Sequence, residues 1–155
     1  MYKLIIDIIG KAKRCYETAV RRKKDTSDFG CLQSLDAELS EYWDAVDNGK
    51  TIPDFDETTA EASRLSDKDF NALYDEKIHN TTLDELADIL ITTATWLHSA
   101  KMSNVENFKP KRRASAMMLD GVAQFLGSRI SGPCELERLR TVVNLKMRYN
   151  ETRND

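Results

Sequence analysis

The sequence predicts an all-α fold: a bundle of about five main helices in a single domain, residues 1–155. Glycine (6) and proline (3) are scarce, so the chain has few of the residues that interrupt helices or build tight turns. Hydrophobic residues make up 41% of the chain, which is sufficient for a core. In several segments they recur every three or four residues, a spacing typical of helices with one buried face.

Composition also indicates the environment in which the chain works. It has no run of 18 apolar residues, and the short apolar run near the N-terminus contains Asp7 and lacks a small-residue cleavage site. The three cysteines, Cys15, Cys31 and Cys134, are odd in number and widely spaced, unlike a disulfide framework or a zinc motif. We therefore expect a reducing, cytoplasmic environment and no membrane span.

Charge is distributed unevenly along the chain. Residues 1–30 carry 8 basic and 4 acidic side chains, residues 31–108 carry 5 and 17, and residues 109–155 carry 10 and 5. A fold that joins the acidic middle to the basic ends could hold a divalent cation beside a polyphosphate, although charge matching on a solvated surface would give the same pattern. The basic runs at 21–24 and 109–113 lack interleaved aromatic residues, so nucleic-acid binding is not expected.

The first half of the chain is predicted to contain two long helices and one irregular, polar segment. The predicted elements are a helix at 2–24, a loop at 25–30, a helix at about 31–47 and the polar segment at 49–80. Asn48 and Gly49 end the second helix, and Ser66 could begin a short helix within the polar segment.

The second half is predicted to contain three more helices, at about 82–101, 112–129 and 134–151. Lys109-Pro110 is expected to interrupt the chain before the fourth helix, because proline lacks an amide hydrogen. Ser103-x-x-Glu106 resembles a capping box for a short element. Gly132-Pro133 opens the last helix, with the proline at a tolerated first-turn position.

Two carboxylates border the apolar face of the second predicted helix. Glu38 and Glu41 are three residues apart, so they project from one side of the helix about one turn apart. The apolar stripe beside them consists of Leu32, Leu35, Leu39, Tyr42 and Val46. A carboxylate that faced only solvent would more often point away from the core.

The third predicted helix repeats this pattern with Glu85 and Asp88. Residues 89–98 contain no Asp, Glu, Lys or Arg, so we expect this helix to be enclosed on most sides by its own chain or by a partner subunit. Two acids at the head of an enclosed helix are unfavourable unless something pairs with them. Thr82-x-x-Glu85 is also a capping-box pattern, so Glu85 could serve the helix end alone.

Four carboxylates that meet between two helices would repel one another and would select a hard cation, Mg²⁺, Mn²⁺ or Ca²⁺, over zinc. A magnesium ion commonly bridges carboxylates to phosphate. Lys146, Asn150 and Arg153 are spaced four and three apart near the end of the last helix, where they could contact phosphate. A basic helix end that complements the helix dipole explains these three residues as well.

With these motifs the chain resembles the MazG-like, all-α nucleoside triphosphate pyrophosphohydrolases, which include the dimeric dUTPase and dCTP pyrophosphatase branches. The family pattern is E-x-x-E, then E-x-x-D on a later helix, then a lysine and an asparagine near the end of a following helix. The matching residues are Glu38, Glu41, Glu85, Asp88, Lys146 and Asn150, with Arg153 next. The 44 positions from Glu41 to Glu85 exceed the spacing of compact members, which marks residues 49–80 as an insertion.

The resemblance implies hydrolysis of a (deoxy)nucleoside triphosphate between its α- and β-phosphates, which releases a monophosphate and pyrophosphate. It implies that Mg²⁺, or Mn²⁺ in its place, is held by the catalytic carboxylates Glu38, Glu41, Glu85 and Asp88, one of which orients the attacking water. It further implies a homodimer or homotetramer in which a partner subunit completes a four-helix active unit. Such assembly would also explain why residues 89–98 of the third helix contain no charged side chain.

For the substrate, the resemblance implies that Lys146 and Arg153 hold the phosphates and that Asn150 contacts phosphate or sugar. Less specific candidates for phosphate, base or stacking contacts are Lys23, Lys24, Gln33, Trp43 and Trp96, although tryptophans at helical spacing more often lie in a core. The sequence does not identify the base or the sugar, because specificity depends on pocket shape and a few hydrogen bonds.

Two other functions compete with this interpretation. A non-enzymatic helical adaptor with a dimer interface and an incidental acidic groove would show no metal-dependent stabilisation. A di-iron carboxylate bundle would use Glu76-x-x-His79 as one ligand pair. Such bundles need a second pair of this kind, and His98 has Ala94 and Thr95 at the positions where a glutamate would stand.

Overall fold

In the computed structural model, the described residues form eight helices and no strand. The structure describes the backbone of residues 2–101 and 105–153 and the side chains of residues 3–101 and 117–153. The helices are α1 (Tyr2–Gly10), α2 (Ala12–Arg21), α3 (Asp28–Asp47), α4 (Phe55–Arg64), α5 (Asp67–Lys77), α6 (Thr82–Lys101), α7 (Val105–Arg129) and α8 (Gly132–Thr152). The all-α prediction is confirmed, but the predicted number of about five main helices is too low.

The first additional helix arises because the segment predicted as one helix at 2–24 is divided after Gly10. The amide of Lys11 lies 3.0 Å from the carbonyl oxygen of Ile8 and 3.2 Å from that of Asp7, so the chain tightens between α1 and α2. Glycine has a low helix propensity, which favours a break at this position. Both helices still bury one apolar side, formed by Leu4, Ile8, Ala12, Cys15 and Ala19.

α3 begins three residues earlier than predicted, inside the segment expected to be a loop. The hydroxyl of Ser27 accepts a hydrogen bond from the amide of Gly30 at 3.1 Å and caps the helix. The helix ends at Asp47, as predicted. Leu35 and Tyr42 of the predicted stripe are buried, whereas Leu32 and Val46 are 46% and 38% exposed, so the margins of that stripe face outward.

The other two additional helices, α4 and α5, lie in the polar segment 49–80. Ser66 immediately precedes α5, as the sequence indicates. Four apolar side chains of this segment are fully enclosed: Ala62, Phe70, Tyr74 and Ile78. The segment therefore contributes to the core, although its composition is mostly polar.

α6 coincides with the predicted third helix and lies at the centre of the bundle. It packs against α1, α2, α3, α7 and α8, and eleven of its twenty residues are buried. The prediction that this helix is enclosed is thus confirmed within a single chain. The chain's own helices pack around the uncharged stretch 89–98, so its lack of charged residues does not require a partner subunit.

α7 begins before the predicted start at about 112 and continues through Pro110, so the expected interruption there is wrong. Pro110 is the sixth residue of α7, and the helix loses one backbone hydrogen bond near its N-terminal end. The predicted capping box at Ser103 lies outside the described residues. α8 begins at Gly132, and Pro133 occupies its first turn as expected. None of the described helices is long and apolar enough to cross a lipid bilayer.

Candidate metal and phosphate site

Three glutamates from two neighbouring helices meet at one point. Carboxylate oxygens of Glu38 and Glu41 on α3 and of Glu85 on α6 all lie within 4.8 Å of one another. The packing of α3 against α6 produces this arrangement, because a spacing of three residues directs each acidic pair toward the shared interface. The structure therefore brings three of the four predicted carboxylates within the reach of a single cation.

The fourth predicted carboxylate, Asp88, is held by a lysine of α8. The ammonium nitrogen of Lys146 lies 2.6 Å from Oδ2 of Asp88 and 2.9 Å from Oδ1 of Asp84. Lys146 is 2% exposed and Asp84 is fully buried. Asp88 is near enough to the glutamates to raise the pKa of Glu38, but it lies outside the group whose oxygens are all within 4.8 Å of one another.

Burial and crowding of like charges raise the pKa of three acids at this site, Glu38, Glu85 and Asp88. Burial, together with the charges of Asp88 and Glu41, raises the pKa of Glu38 to about 8. Burial likewise raises the pKa of Glu85 to about 8, assisted by the charges of Asp84 and Asp88. The pKa of Asp88 is also raised by burial, against the opposing charge of Lys146. The ionised form of these acids is therefore unfavourable unless a cation balances their charge.

Glu85 provides the clearest observation in favour of a cation site. Its side chain is 1% exposed, and no described residue donates a hydrogen bond to its Oε2 atom. A buried carboxylate oxygen without a partner costs free energy, since it has lost its water and gained nothing in exchange. An oxygen-binding cation at this point would satisfy it, and the all-carboxylate donor set fits Mg²⁺ or Mn²⁺.

The alternative role of Glu85 as a simple helix cap receives no support from the start of α6. The hydroxyl of Thr81 accepts a hydrogen bond from the amide of Asp84 at 3.4 Å, and the Asp84 carboxylate accepts one from the amide of Asn80 at 2.9 Å. These contacts form a capping arrangement one residue earlier than Thr82-x-x-Glu85. The carboxylate of Glu85 points instead toward Glu38 and Glu41.

A pocket opens beside Asp88 between α2, α6 and α8. Its walls include Arg22 and Lys24 from the end of α2 and the following turn, Asp88 from α6 and Asn150 from α8. Arg22 donates a hydrogen bond to Oδ1 of Asn150 at 3.1 Å. Cationic side chains from the basic N-terminal segment thus share a pocket with Asp88, an arrangement that suits a metal beside a phosphate chain.

The remaining predicted substrate residues lie in different surroundings. Lys146 is enclosed between two carboxylates, so its ammonium would have to leave them to reach a phosphate. The guanidinium of Arg153 lies over the ring of Tyr149, 4.9 Å from its centre. Lys23 and Gln33 are exposed.

The two tryptophans differ in their environments. Trp96 is buried, and its indole nitrogen donates a hydrogen bond to Asp28 at 2.8 Å, so it links α6 to the start of α3. Trp43 is 40% exposed, and the guanidinium of Arg129 lies 4.5 Å from its ring centre. Trp96 is therefore part of the core, as tryptophans usually are, whereas Trp43 is not.

The di-iron interpretation finds no support among the described side chains. His79 lies 3.7 Å from the carboxylate of Asp75 and beside the ring of Tyr149. The group of described side chains that could hold a metal consists of three glutamates and contains no histidine.

Sequence reasoning missed Asp84 and Arg22. In the sequence, Asp84 cannot be distinguished from an ordinary acid in the first turn of a helix. Such an acid usually interacts with the helix dipole while it stays exposed to solvent. The burial of Asp84 depends on how α5 and α8 pack over the start of α6. The sequence carries no signal of this burial: the structure shows it, together with the buried Lys146, a lysine that requires acidic partners.

Comparison with known proteins adds no relative: no protein-family model, curated protein or solved structure matches the chain.

Proposed function

We propose that this chain is a Mg²⁺-dependent nucleotide pyrophosphohydrolase that converts a (deoxy)nucleoside triphosphate to the monophosphate and pyrophosphate. One observation carries the proposal: Glu38, Glu41 and Glu85 meet within 4.8 Å, and a buried oxygen of Glu85 has no partner among the described residues. The family resemblance of the motifs supplies the reaction, and the geometry supports the metal on which that reaction depends.

In this proposal Glu38, Glu41 and Glu85 hold the cation, and Asp88 completes the site from its edge. Mn²⁺ can replace Mg²⁺, because both prefer oxygen ligands. When bound, such an ion polarises a phosphoryl group and lowers the pKa of a water molecule. The half-buried cluster limits access of bulk water and fixes its carboxylates on two packed helices.

The pocket beside Asp88 receives the substrate. Lys24 and Arg22 place positive charge in the wall of the pocket, where they would contact the phosphates. Asn150 offers an amide that can both donate and accept hydrogen bonds to phosphate or sugar. Lys146 contributes indirectly, since its charge offsets those of Asp84 and Asp88.

The test is a panel of nucleotides with Mg²⁺, with pyrophosphate and orthophosphate measured separately. We expect at least one nucleoside triphosphate to yield pyrophosphate and monophosphate in equal amounts, with no turnover in EDTA. Release of orthophosphate alone would place the cleavage at another bond. The absence of turnover across the panel, at millimolar Mg²⁺ and Mn²⁺, would contradict the proposal.

We also propose that the chain assembles as a homodimer or homotetramer. The basis is the outward side of α3, where four large apolar residues are 38–67% exposed: Phe29, Leu32, Trp43 and Val46. Clustered exposed apolar side chains are typical of protein interaction surfaces. Sedimentation at micromolar concentration should therefore show an oligomer, and Trp43→Glu should shift it toward monomer. A monomeric wild-type chain would overturn this proposal.

The same surface is the observation that favours the alternative function, a non-enzymatic helical adaptor. In that case the carboxylates would form an incidental acidic groove. The adaptor predicts an intact oligomer with neither pyrophosphate release nor stabilisation by Mg²⁺.

A further inference from the structure

A buried polar network joins α5, α6 and α8 behind the three glutamates, and Asp84 is its centre. The phenol of Tyr74 donates a hydrogen bond to Oδ1 of Asp84 at 2.5 Å, and the Asn80 amide donates to Oδ2 at 2.9 Å. The ammonium of Lys146 lies 2.9 Å from Oδ1. Both oxygens of this fully buried carboxylate therefore have donors.

Lys146 connects Asp84 to the candidate metal site. Its nitrogen lies between the carboxylates of Asp84 and Asp88, at 2.9 and 2.6 Å. The rings of Tyr74 and Tyr149 lie beside it, with centres 5.8 and 5.7 Å from the nitrogen. These two rings stack at 4.4 Å with an angle of 14° between their planes. Because Lys146 is 2% exposed and paired with two carboxylates, it has little freedom to move.

The two aspartates have different access to the site. Asp88 lines the open pocket beside the glutamates, whereas Asp84 is enclosed on every side. Asp84 therefore cannot touch a cation or a substrate, and its contact with the site runs through Lys146. Lys146 pairs with both aspartates. Its positive charge therefore neutralises Asp88 less completely than it would if Asp88 were its single partner.

We propose that Asp84 and Tyr74 are positioning residues that hold Lys146 between two carboxylates and so keep Asp88 available to the divalent cation. The inference rests on the proposed function, because it assumes that a cation binds at the glutamates. It also assigns a role to the segment 49–80: α5 supplies the phenol that fixes Asp84, so this apparent insertion supports the site.

The test compares two tyrosine variants by direct Mn²⁺ binding, followed from the electron paramagnetic resonance signal of free aqueous Mn²⁺. Tyr74→Phe removes the hydrogen bond to Asp84. Tyr149→Phe is the matched control, because it removes a phenol–carboxylate hydrogen bond to Asp75 and preserves the stacked ring. Residues that orient metal ligands typically change metal affinity by about 10- to 100-fold. We expect the Mn²⁺ Kd to rise about tenfold in Tyr74→Phe and Asp84→Asn, and less than twofold in Tyr149→Phe.

A purely structural role would lower the melting temperature of Tyr74→Phe and leave the Mn²⁺ Kd unchanged, which would overturn the inference. An equal rise in both tyrosine variants would overturn it as well. If Asp84→Asn fails to fold, Tyr74→Phe still decides. Wild-type activity is a separate readout: a chain that binds Mn²⁺ with the expected pattern but releases no pyrophosphate would contradict the proposed function and support the positioning role.

Discussion

Asp88→Asn and Glu41→Gln should each reduce Mg²⁺-dependent pyrophosphate release by about 100-fold or more, because each removes a carboxylate from the cation site, and even residues that only orient ligands change metal affinity about 10- to 100-fold. Glu41 is exposed, so its neutral isostere does not disturb the core. Asparagine has nearly the same shape as the aspartate that it replaces at position 88. Lys146 keeps its ion pair with Asp84 in this variant. Both variants should therefore keep the helical circular dichroism of the wild type.

Asp44→Asn is the matched control for these variants. Asp44 is an exposed acid on the same helix as Glu41, three residues further along, and it lies outside the three-glutamate group. Its substitution removes one negative charge from α3 without changing the site, so its activity should stay within about twofold of the wild type, as for surface substitutions generally. Near-full activity in both Asp88→Asn and Glu41→Gln would contradict the assignment of these carboxylates to the cation site.

The parts of the fold that the sequence predicts well are those with a strong local pattern. α6 has a long apolar run without charges, and a helix of that kind can only be stable when its whole circumference is covered. Its bounds and its burial both follow from this pattern. The bounds of α3 are predicted almost as well, with the error confined to its start, where the Ser27 cap lengthens it.

The segment 49–80 shows where local pattern fails. α4 and α5 bury a small number of large side chains, among them Phe70 and Tyr74, and present polar residues elsewhere. Their stability comes from packing against the rest of the bundle, and a window of mostly polar residues carries little sign of it. The hydrogen bond from Tyr74 to Asp84 likewise depends on tertiary packing, so the local sequence does not predict it.

The candidate site divides in the same way. Spacing alone predicts that Glu38 and Glu41 share one side of a helix, as do Glu85 and Asp88, and the helix packing brings the pairs together. The roles of Lys146 could not be separated from sequence, since a phosphate ligand and an internal counter-ion have the same residue type. Only its depth, 2% exposed between two carboxylates, distinguishes them.

The metal-free chain should lose stability as the pH rises from about 5 to about 8. The pKa of Glu38 and that of Glu85 are about 8 in the folded chain, against an ordinary value of 4.5. Between these values the folded state binds more protons than the unfolded state, so the free energy of unfolding falls with pH. In EDTA we expect the melting temperature to drop by roughly 5–10 °C over this range.

Magnesium should oppose this loss, because the cation binds the deprotonated carboxylates and competes with their protons. Binding to the native state alone adds RT ln(1 + [L]/Kd), about 2.7 kcal/mol when the ion is at 100 times its Kd. The stabilisation should therefore grow with pH, and in several millimolar Mg²⁺ the melting temperature at pH 8 should recover most of what EDTA removes. Glu85→Gln should be insensitive to Mg²⁺, since it removes the buried carboxylate oxygen that has no partner among the described residues.

This experiment also separates the enzyme from the adaptor, because the two share the effect of pH and differ in the effect of the metal. An incidental acidic groove still holds protons on Glu38 and Glu85, so an adaptor would lose stability with rising pH in EDTA. Salt would screen its repulsion in the same way whichever cation supplied the ionic strength. A chelating site instead responds to Mg²⁺ beyond NaCl of equal ionic strength, since ligation requires a divalent ion within reach of all three carboxylates. Equal melting temperatures in the two salts at pH 8 would favour the adaptor and leave the three glutamates without a metal.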